Sequence, residues 1–521
     1  MVETESSPEA LTTETTAERS PHVLLAENEK ESAPPQSVET ANDQEIISSH
    51  KIKEELMSNE NEMEQEQEQE QEQEQEDEQK EHCSTSKSQI SLQAYLQKYY
   101  LQFLSVVAQT VKDKPNVLGF NTMNEPSNGM AGASDLNSQT YPTPLANPLS
   151  FFDGMRLGSG ESLRAEQYTK PFLYQKTVTL NPDRIMAWKS AEHDVWRTMG
   201  VYEVNDANKR ILLKPNYFKL EKGKNFLDDF MVPFYEKVRG AVCEQNERFV
   251  IFAEPHIEIM DFSIEKAPEA LDAEKFAWAP HWYDGLTLIL KRYLPFVAVV
   301  PPRLLPVFSK RLIDKALAST INAIKTSGKP NMYVLLGETG GPMNMAFNRD
   351  ECDNNYFHST MALDRTLRAI ERNNLDTTIW CYDANNTWQE GDRWNGEDFS
   401  IRTTSGIMNN RGLLSAVRPF VVTVGQDLEV VSQTFDPSTD SKRFELVVRR
   451  PTDEVDDGND LDGGKDVVVY LPRIHFMSNP KVSLSAGTFK INADAQELTW
   501  KGVTFESRKK KNVCKLVIMN R

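Results

Sequence analysis

Val117-Leu118-Gly119-Phe120-Asn121-Thr122-Met123-Asn124-Glu125-Pro126 is the stretch on which the fold turns. Its apolar run stops at an asparagine, a glutamate and a proline. Proline has no amide hydrogen to give a neighbouring strand, so the run reads as a short buried strand that ends at Glu125. Met332-Tyr333-Val334-Leu335-Leu336 repeats the pattern and stops at Gly337-Glu338-Thr339-Gly340. Three more apolar runs have the same shape. Phe249-Val250-Ile251-Phe252-Ala253 stops at Glu254-Pro255, Phe276-Ala277-Trp278-Ala279 stops at Pro280-His281-Trp282-Tyr283, and Thr377-Thr378-Ile379 stops at Trp380.

Helical spacing fills the intervals. Leu92, Tyr95, Leu96, Tyr99, Phe103, Val106 and Val107 predict a helix over 91–111, and further helices are expected over 225–245, 312–326 and 360–372. Strands alternating with helices predict an α/β domain with a parallel sheet, closed or doubly wound. Apolar strands without polar alternation suit a sheet covered on both faces. Residues 131–214 are too rich in Pro, Gly and Asn for one regular element and read as an insert. From 412 onward, short strand-like runs at 420–424, 428–434, 444–448, 467–471 and 516–519 predict an all-β domain, a sandwich. An acidic loop at 453–464 interrupts it. The apolar stretch 296–307 reads either as core or as a lip for transient contact with a membrane surface.

Charge is concentrated at one end. Residues 1–88 hold 25 acidic and 6 basic side chains, a net of −19 within a chain total of −20. The rest holds 53 acidic and 52 basic, so the low pI belongs to an acidic Glu/Gln-rich tail that is expected to be disordered. Neither part argues for nucleic-acid binding. The five cysteines are scattered, fit a reducing, cytoplasmic setting and show no metal spacing, so no cofactor is implied.

Two carboxylates delivered by different strands to one sugar are the minimal equipment for breaking a glycosidic bond. One attacks the anomeric carbon while the other protonates the leaving oxygen. On this reading Glu125 and Glu338 are the catalytic pair. Asn124 would hold the sugar 2-hydroxyl, Tyr283 would orient Glu338, and Trp380 would floor the sugar subsite. His281 reads either as a site residue or as a satisfied structural histidine.

The order of these motifs resembles glycoside hydrolase family 5, and within it the fungal sterylglucosidases, relatives of the endoglycoceramidases. The likeness is carried by 119–126, 188–200, Pro215-Asn216-Tyr217-Phe218, 280–288, Gly337-Glu338, Ala362-Leu363-Asp364, 385–400 and Arg418-Pro419-Phe420, over roughly 90–521. It implies Glu125 as acid/base, Glu338 as nucleophile, and Asn124, His281, Tyr283 and Trp380 as subsite residues. Trp388, Trp394 and Glu397, in the loop after the last strand, either line the pocket or pack the loop. The implied substrate is a glucosylated lipid, a steryl glucoside or glucosylceramide. The catalytic pair lies 213 positions apart, a span that the insert accounts for.

The family's acid/base follows the fourth strand of an eight-strand ring, with an upstream Arg and His. Residues 1–88 hold no such strands. The expected fold is therefore an incomplete (β/α)8-type barrel with about five of eight strands visible, a C-terminal β-sandwich and the acidic tail. The domains are 1–88, 89–411 and 412–521. Thr339-Gly340-Gly341-Pro342 departs from the bulkier residues usual after the nucleophile. Two function classes stay open: a retaining β-glucosidase, or an inactive truncated paralogue or interaction protein with a charged tail.

Overall fold

Helix α1 (Leu92–Val111) leads into strand β1 (Gly119–Asn121). The structure, a computed structural model, describes residues 90–138, 149–170, 173–257, 264–300, 305–345, 356–387, 389–404, 411–426, 428–437, 442–450, 466–476, 480–503 and 513–520. The expected tail 1–88, Trp388 and the acidic loop 453–464 lie outside these residues. Among the described residues every helix and strand lies within Leu92–Arg521.

After β1 the insert builds a small body of its own. It contains helix α2 (Phe151–Gly158), hairpin β2 (Leu163–Lys170) with β3 (Leu173–Leu180), and ribbon β4 (Tyr202–Val204) with β5 (Arg210–Leu212). Ser150 starts α2 with a reciprocal cap. Its hydroxyl accepts from the Asp153 amide, and the Asp153 carboxylate accepts from the Ser150 amide. Leu136, Phe152, Met155, Val201 and Tyr202 close this body around its own core.

The chain then runs through α3 (Val232–Cys243), β6 (Val250–Ala253), β7 (Phe276–Trp278), α4 (Gly285–Leu290), ribbon β8 (Val297–Val300) and β9 (Leu305–Phe308), α5 (Lys310–Lys325), β10 (Leu335–Gly340), α6 (Phe357–Glu371) and β11 (Asp376–Trp380). β1, β6 and β7 pair in parallel, as do β10 and β11. Parallel bridges Trp278–Val334 and His281–Glu338 join β7 to β10. Five parallel strands thus stand in chain order, the arrangement that strand–helix–strand crossovers produce. Their C-terminal ends share one edge. One core lies under α1 and α3, with Leu104, Ala108, Tyr235, Val238, Ile251 and Trp278. A second lies under α5 and α6, with Ile313, Leu317, Leu336, Leu363 and Ile370. The ribbon turns Ala298 and Val300 into that second core and leaves Phe296 and Phe308 exposed.

Eight further strands follow: β12 (Phe420–Thr423), β13 (Glu429–Asp436), β14 (Arg443–Arg449), β15 (Val467–Tyr470), β16 (Lys481–Leu484), β17 (Thr488–Asn492), β18 (Glu497–Lys501) and β19 (Val513–Met519). They form two four-stranded antiparallel sheets, β12-β15-β18-β17 and β13-β14-β19-β16. Phe444, Leu446, Val448, Val467, Val469, Trp500, Leu516 and Ile518 fill the core that both sheets share. β16, β17 and β18 did not stand out in the sequence, because Lys, Ser, Thr and Asn dilute their apolar faces. Arg418 ties this part to α6. It donates to Asp364 and Glu371 and to the Phe435 carbonyl, all at 2.9 Å for the Nη atoms.

Candidate active site

β10 carries Glu338 near its C-terminal end, and the glycines beside it follow from crowding. A Cβ on Gly337 would lie 3.0 Å from the Ala279 carbonyl oxygen, and one on Gly340 would lie 2.1 Å from that of Trp380. The two glycines of Gly-Glu-Thr-Gly are therefore required by a strand squeezed between its neighbours, whereas Gly341 has open space around it. The Tyr283 hydroxyl donates to Glu338 Oε1 at 2.7 Å. Burial pushes the Glu338 carboxyl above the usual carboxylate range. The Tyr283 hydrogen bond and the charge on His281 oppose that rise, while Glu125 and Glu254 add to it.

Glu125 lies just past β1 with a left-handed backbone, φ 44°. Its amide donates to Glu254 Oε1 at 2.6 Å. Glu254 directly follows β6 and is 1% exposed. Its other oxygen accepts from Asn121 Nδ2 at 2.7 Å. His281, delivered by β7, spans the group: Nδ1 lies 3.0 Å from Glu125 Oε1 and 3.8 Å from Glu338 Oε1, and Nε2 lies 3.2 Å from Glu254 Oε1. Burial alone would drive a proton off this ring. Hydrogen bonds to Glu125 and Glu254, with the charges of Glu254 and Glu338, outweigh it and raise the His281 pKa to about 9.

An oxygen of Glu125, an oxygen of Glu338 and a nitrogen of His281 all lie within 4.8 Å of one another. Such a trio has the donor types of a metal site. With a proton held on the ring at neutral pH and carboxylates at both its nitrogens, the arrangement suits proton chemistry better than ligation.

Of the residues singled out in the sequence, Glu125, His281, Tyr283 and Glu338 meet in one place. Trp380 stands at the end of β11, and its indole Nε1 donates to Glu397 Oε2 at 3.3 Å, which brings the loop glutamate to the strand end. The Trp380–Cys381 peptide bond is cis. Asn124 is exposed beside Glu125. Trp394 is 65% exposed on the loop that holds Glu397. Glu254 and Asn121 received no role from the sequence. The signal was present, since Glu254-Pro255 repeats the strand-end Glu125-Pro126, but nothing local says that one glutamate faces the cleft and the other is buried behind it.

No protein-family model matches the chain. Among curated proteins it is similar to the ergosteryl-beta-glucosidase of Saccharomyces cerevisiae, 26% identical over 362 residues, 60% of this chain and 46% of that protein. It is also similar to the glucosylceramidase of Rhizopus delemar, 28% identical over 348 residues, 61% of this chain and 49% of that protein. The chain spans about half the length of these relatives. Among solved structures, Cryptococcus neoformans sterylglucosidase 1 superposes with a TM-score of 0.67 at 22% identity, covering 82% of this chain and 67% of that one. In sequence the chain is thus similar to fungal ergosteryl-β-glucosidase and glucosylceramidase, and it shares the fold of a sterylglucosidase over most of its length.

Proposed function

We propose that this chain is a retaining β-glucosidase for glucosylated lipids, with Glu338 as nucleophile and Glu125 as acid/base. The observation that carries the reading is the approach of the two carboxylates, with oxygens within 4.8 Å. Retaining enzymes hold their carboxyl groups about 5 Å apart, while inverting enzymes leave about 6.5–9.5 Å for a water. Glu338 attacks the anomeric carbon, the bond to the aglycone oxygen breaks, and that oxygen takes the proton of Glu125. Glu125 then removes a proton from water, whose oxygen displaces Glu338 and frees the sugar. The Tyr283 hydroxyl keeps one Glu338 oxygen directed as the covalent bond forms and breaks. On this reading Trp380 floors the sugar ring and Asn124 holds the 2-hydroxyl.

The same reading takes the five-strand arc as part of a (β/α)8-type barrel and the two C-terminal sheets as a β-sandwich. The names of the curated relatives support a steryl glucoside or glucosylceramide as substrate. Among the described residues no helix is long and apolar enough to cross a membrane. Phe296 and Phe308, exposed at the ribbon base, would meet a lipid surface transiently. The test is turnover of an aryl β-glucoside and of a steryl glucoside by the whole chain and by Glu338→Gln. The variant should lose at least about 10⁴-fold in kcat, the scale for removing a nucleophile. Equal rates for both proteins, or no turnover by the parent chain, would overturn the assignment and favour an interaction role.

A further inference from the structure

We infer that Glu254 is a positioning residue. From behind the cleft it clamps the backbone of Glu125 and the ring of His281, and so fixes where the acid/base carboxyl stands and keeps His281 a donor toward it. The inference rests on the proposed role of Glu125 as acid/base.

Three observations carry it. First, the donors to the Glu254 carboxylate come from two parts of the chain: Asn121 and Glu125 at and just after β1, and His281 beyond β7. Second, the Glu125 backbone is left-handed, at φ 44°. A non-glycine residue keeps such a conformation only where its surroundings impose it. The 2.6 Å bond from the Glu125 amide to Glu254 is the contact that does so. Third, Glu254 is 1% exposed, and a buried carboxylate persists when charge and donors compensate it. The cation beside it is His281, whose other nitrogen is 3.0 Å from Glu125.

Glu254, His281 and Glu125 therefore form a line of hydrogen bonds that ends on the carboxyl group serving as acid/base. The charged groups facing His281 are Glu125, Glu254 and Glu338. Tyr100 and Tyr235 stand near Glu254, and burial together with that carboxylate raises both phenols, so they stay neutral. Nε2 faces Glu254 and Nδ1 faces Glu125. With hydrogens on both ring nitrogens, Nδ1–H donates to Glu125.

The experiment uses the whole chain and Glu254→Gln, which keeps the shape and removes the charge. NMR of the imidazole nitrogens, assigned with a His281→Gln variant, follows the ring's titration. In the parent it should fall near the value of about 9. In Glu254→Gln it should drop by at least about one pH unit, since a buried charge at hydrogen-bond distance is lost. In parallel kcat/KM should fall by up to about 100-fold through misplacement of Glu125. The alkaline limb of its pH profile should move to lower pH. Glu254→Asp separates the two effects: it keeps the charge but draws it back, so it should keep most of the ring's titration and still lose turnover. An unchanged titration in a cooperatively folding Glu254→Gln would overturn the inference. So would a wild-type rate in Glu254→Asp, the deciding outcome if Glu254→Gln does not fold. A parent chain without glucosidase turnover would sink the functional proposal alone, because the ring's titration reports on Glu254 without any substrate.

Discussion

Helices α1 and α6 flank opposite ends of the strand arc, and the molecule treats them differently. α6 buries Ser359, Ala362, Leu363, Asp364, Arg365, Thr366, Leu367, Ala369 and Ile370. In α1 only Leu104 and Ala108 are buried, while Leu92, Tyr95, Leu96, Tyr99, Phe103 and Val106 are 50–66% exposed. The proposed catalytic pair follows the same gradient. Glu338, at the α6 end, is 16% exposed, and Glu125, at the α1 end, is 41% exposed. Burial is what lifts the Glu338 carboxyl. The covered end therefore sets the proton affinity of the proposed nucleophile, while the open end leaves the proposed acid/base in contact with water.

The sharpest way to break this contrast is Arg418→Ala. Arg418 is buried and links Asp364 and Glu371 on α6 to β13. Stripping one partner from a buried charge network costs about 3–5 kcal/mol. Chemical denaturation should show that loss, and an unchanged midpoint would mean that α6 is held by its apolar face alone.

Tyr283→Phe probes the same end through activity. A hydrogen bond to a charged group is worth about 1.5–3 kcal/mol, so kcat/KM should fall about 10- to 100-fold. That bond favours the ionised carboxylate, so its loss raises the Glu338 carboxyl further, and the acid limb of the pH profile should move to higher pH. A limb that stays in place would show that Tyr283 does not set the charge state of Glu338.

His281 joins the two ends, and its effect is read through pH. Its folded pKa of about 9 lies above the ordinary 6.5. The stability it contributes is therefore fully present below about 6.5 and fades as pH rises through about 9. Melting temperatures of His281→Gln should lose that slope between pH 6.5 and 9, and an identical slope would place its origin elsewhere. Smallest of all, Phe103→Ser on the exposed face of α1 should change stability by no more than about 0.5 kcal/mol. It should also lower the binding of a hydrophobic dye. A clear destabilisation would show that this face is covered in solution.

Much of the fold was legible because its signals are local. Each of the five parallel strands is an apolar run cut off by a polar or proline-bearing end, and each was visible in the sequence. Glu125, His281, Tyr283 and Glu338 were legible for the same reason, since strand ends place side chains at one edge. The Tyr283–Glu338 bond followed from that shared edge. Other features gave no such signal. Glu254 looks like Glu125 in sequence, and its burial depends on Asn121 and His281 arriving from other strands. The apolar spacing of α1 predicted a helix but said nothing about how many of its faces would be covered.

The sequence by itself determined the strand–helix alternation, the positions of the strand-end carboxylates and the acidic character of the tail, because periodicity and turn chemistry act within a few residues. The tertiary structure alone decided which glutamate is buried behind the cleft, which ring holds a proton and which end of the arc is dry. Burial and charge depend on segments more than a hundred residues apart being brought within a few ångströms, and no local pattern encodes that distance.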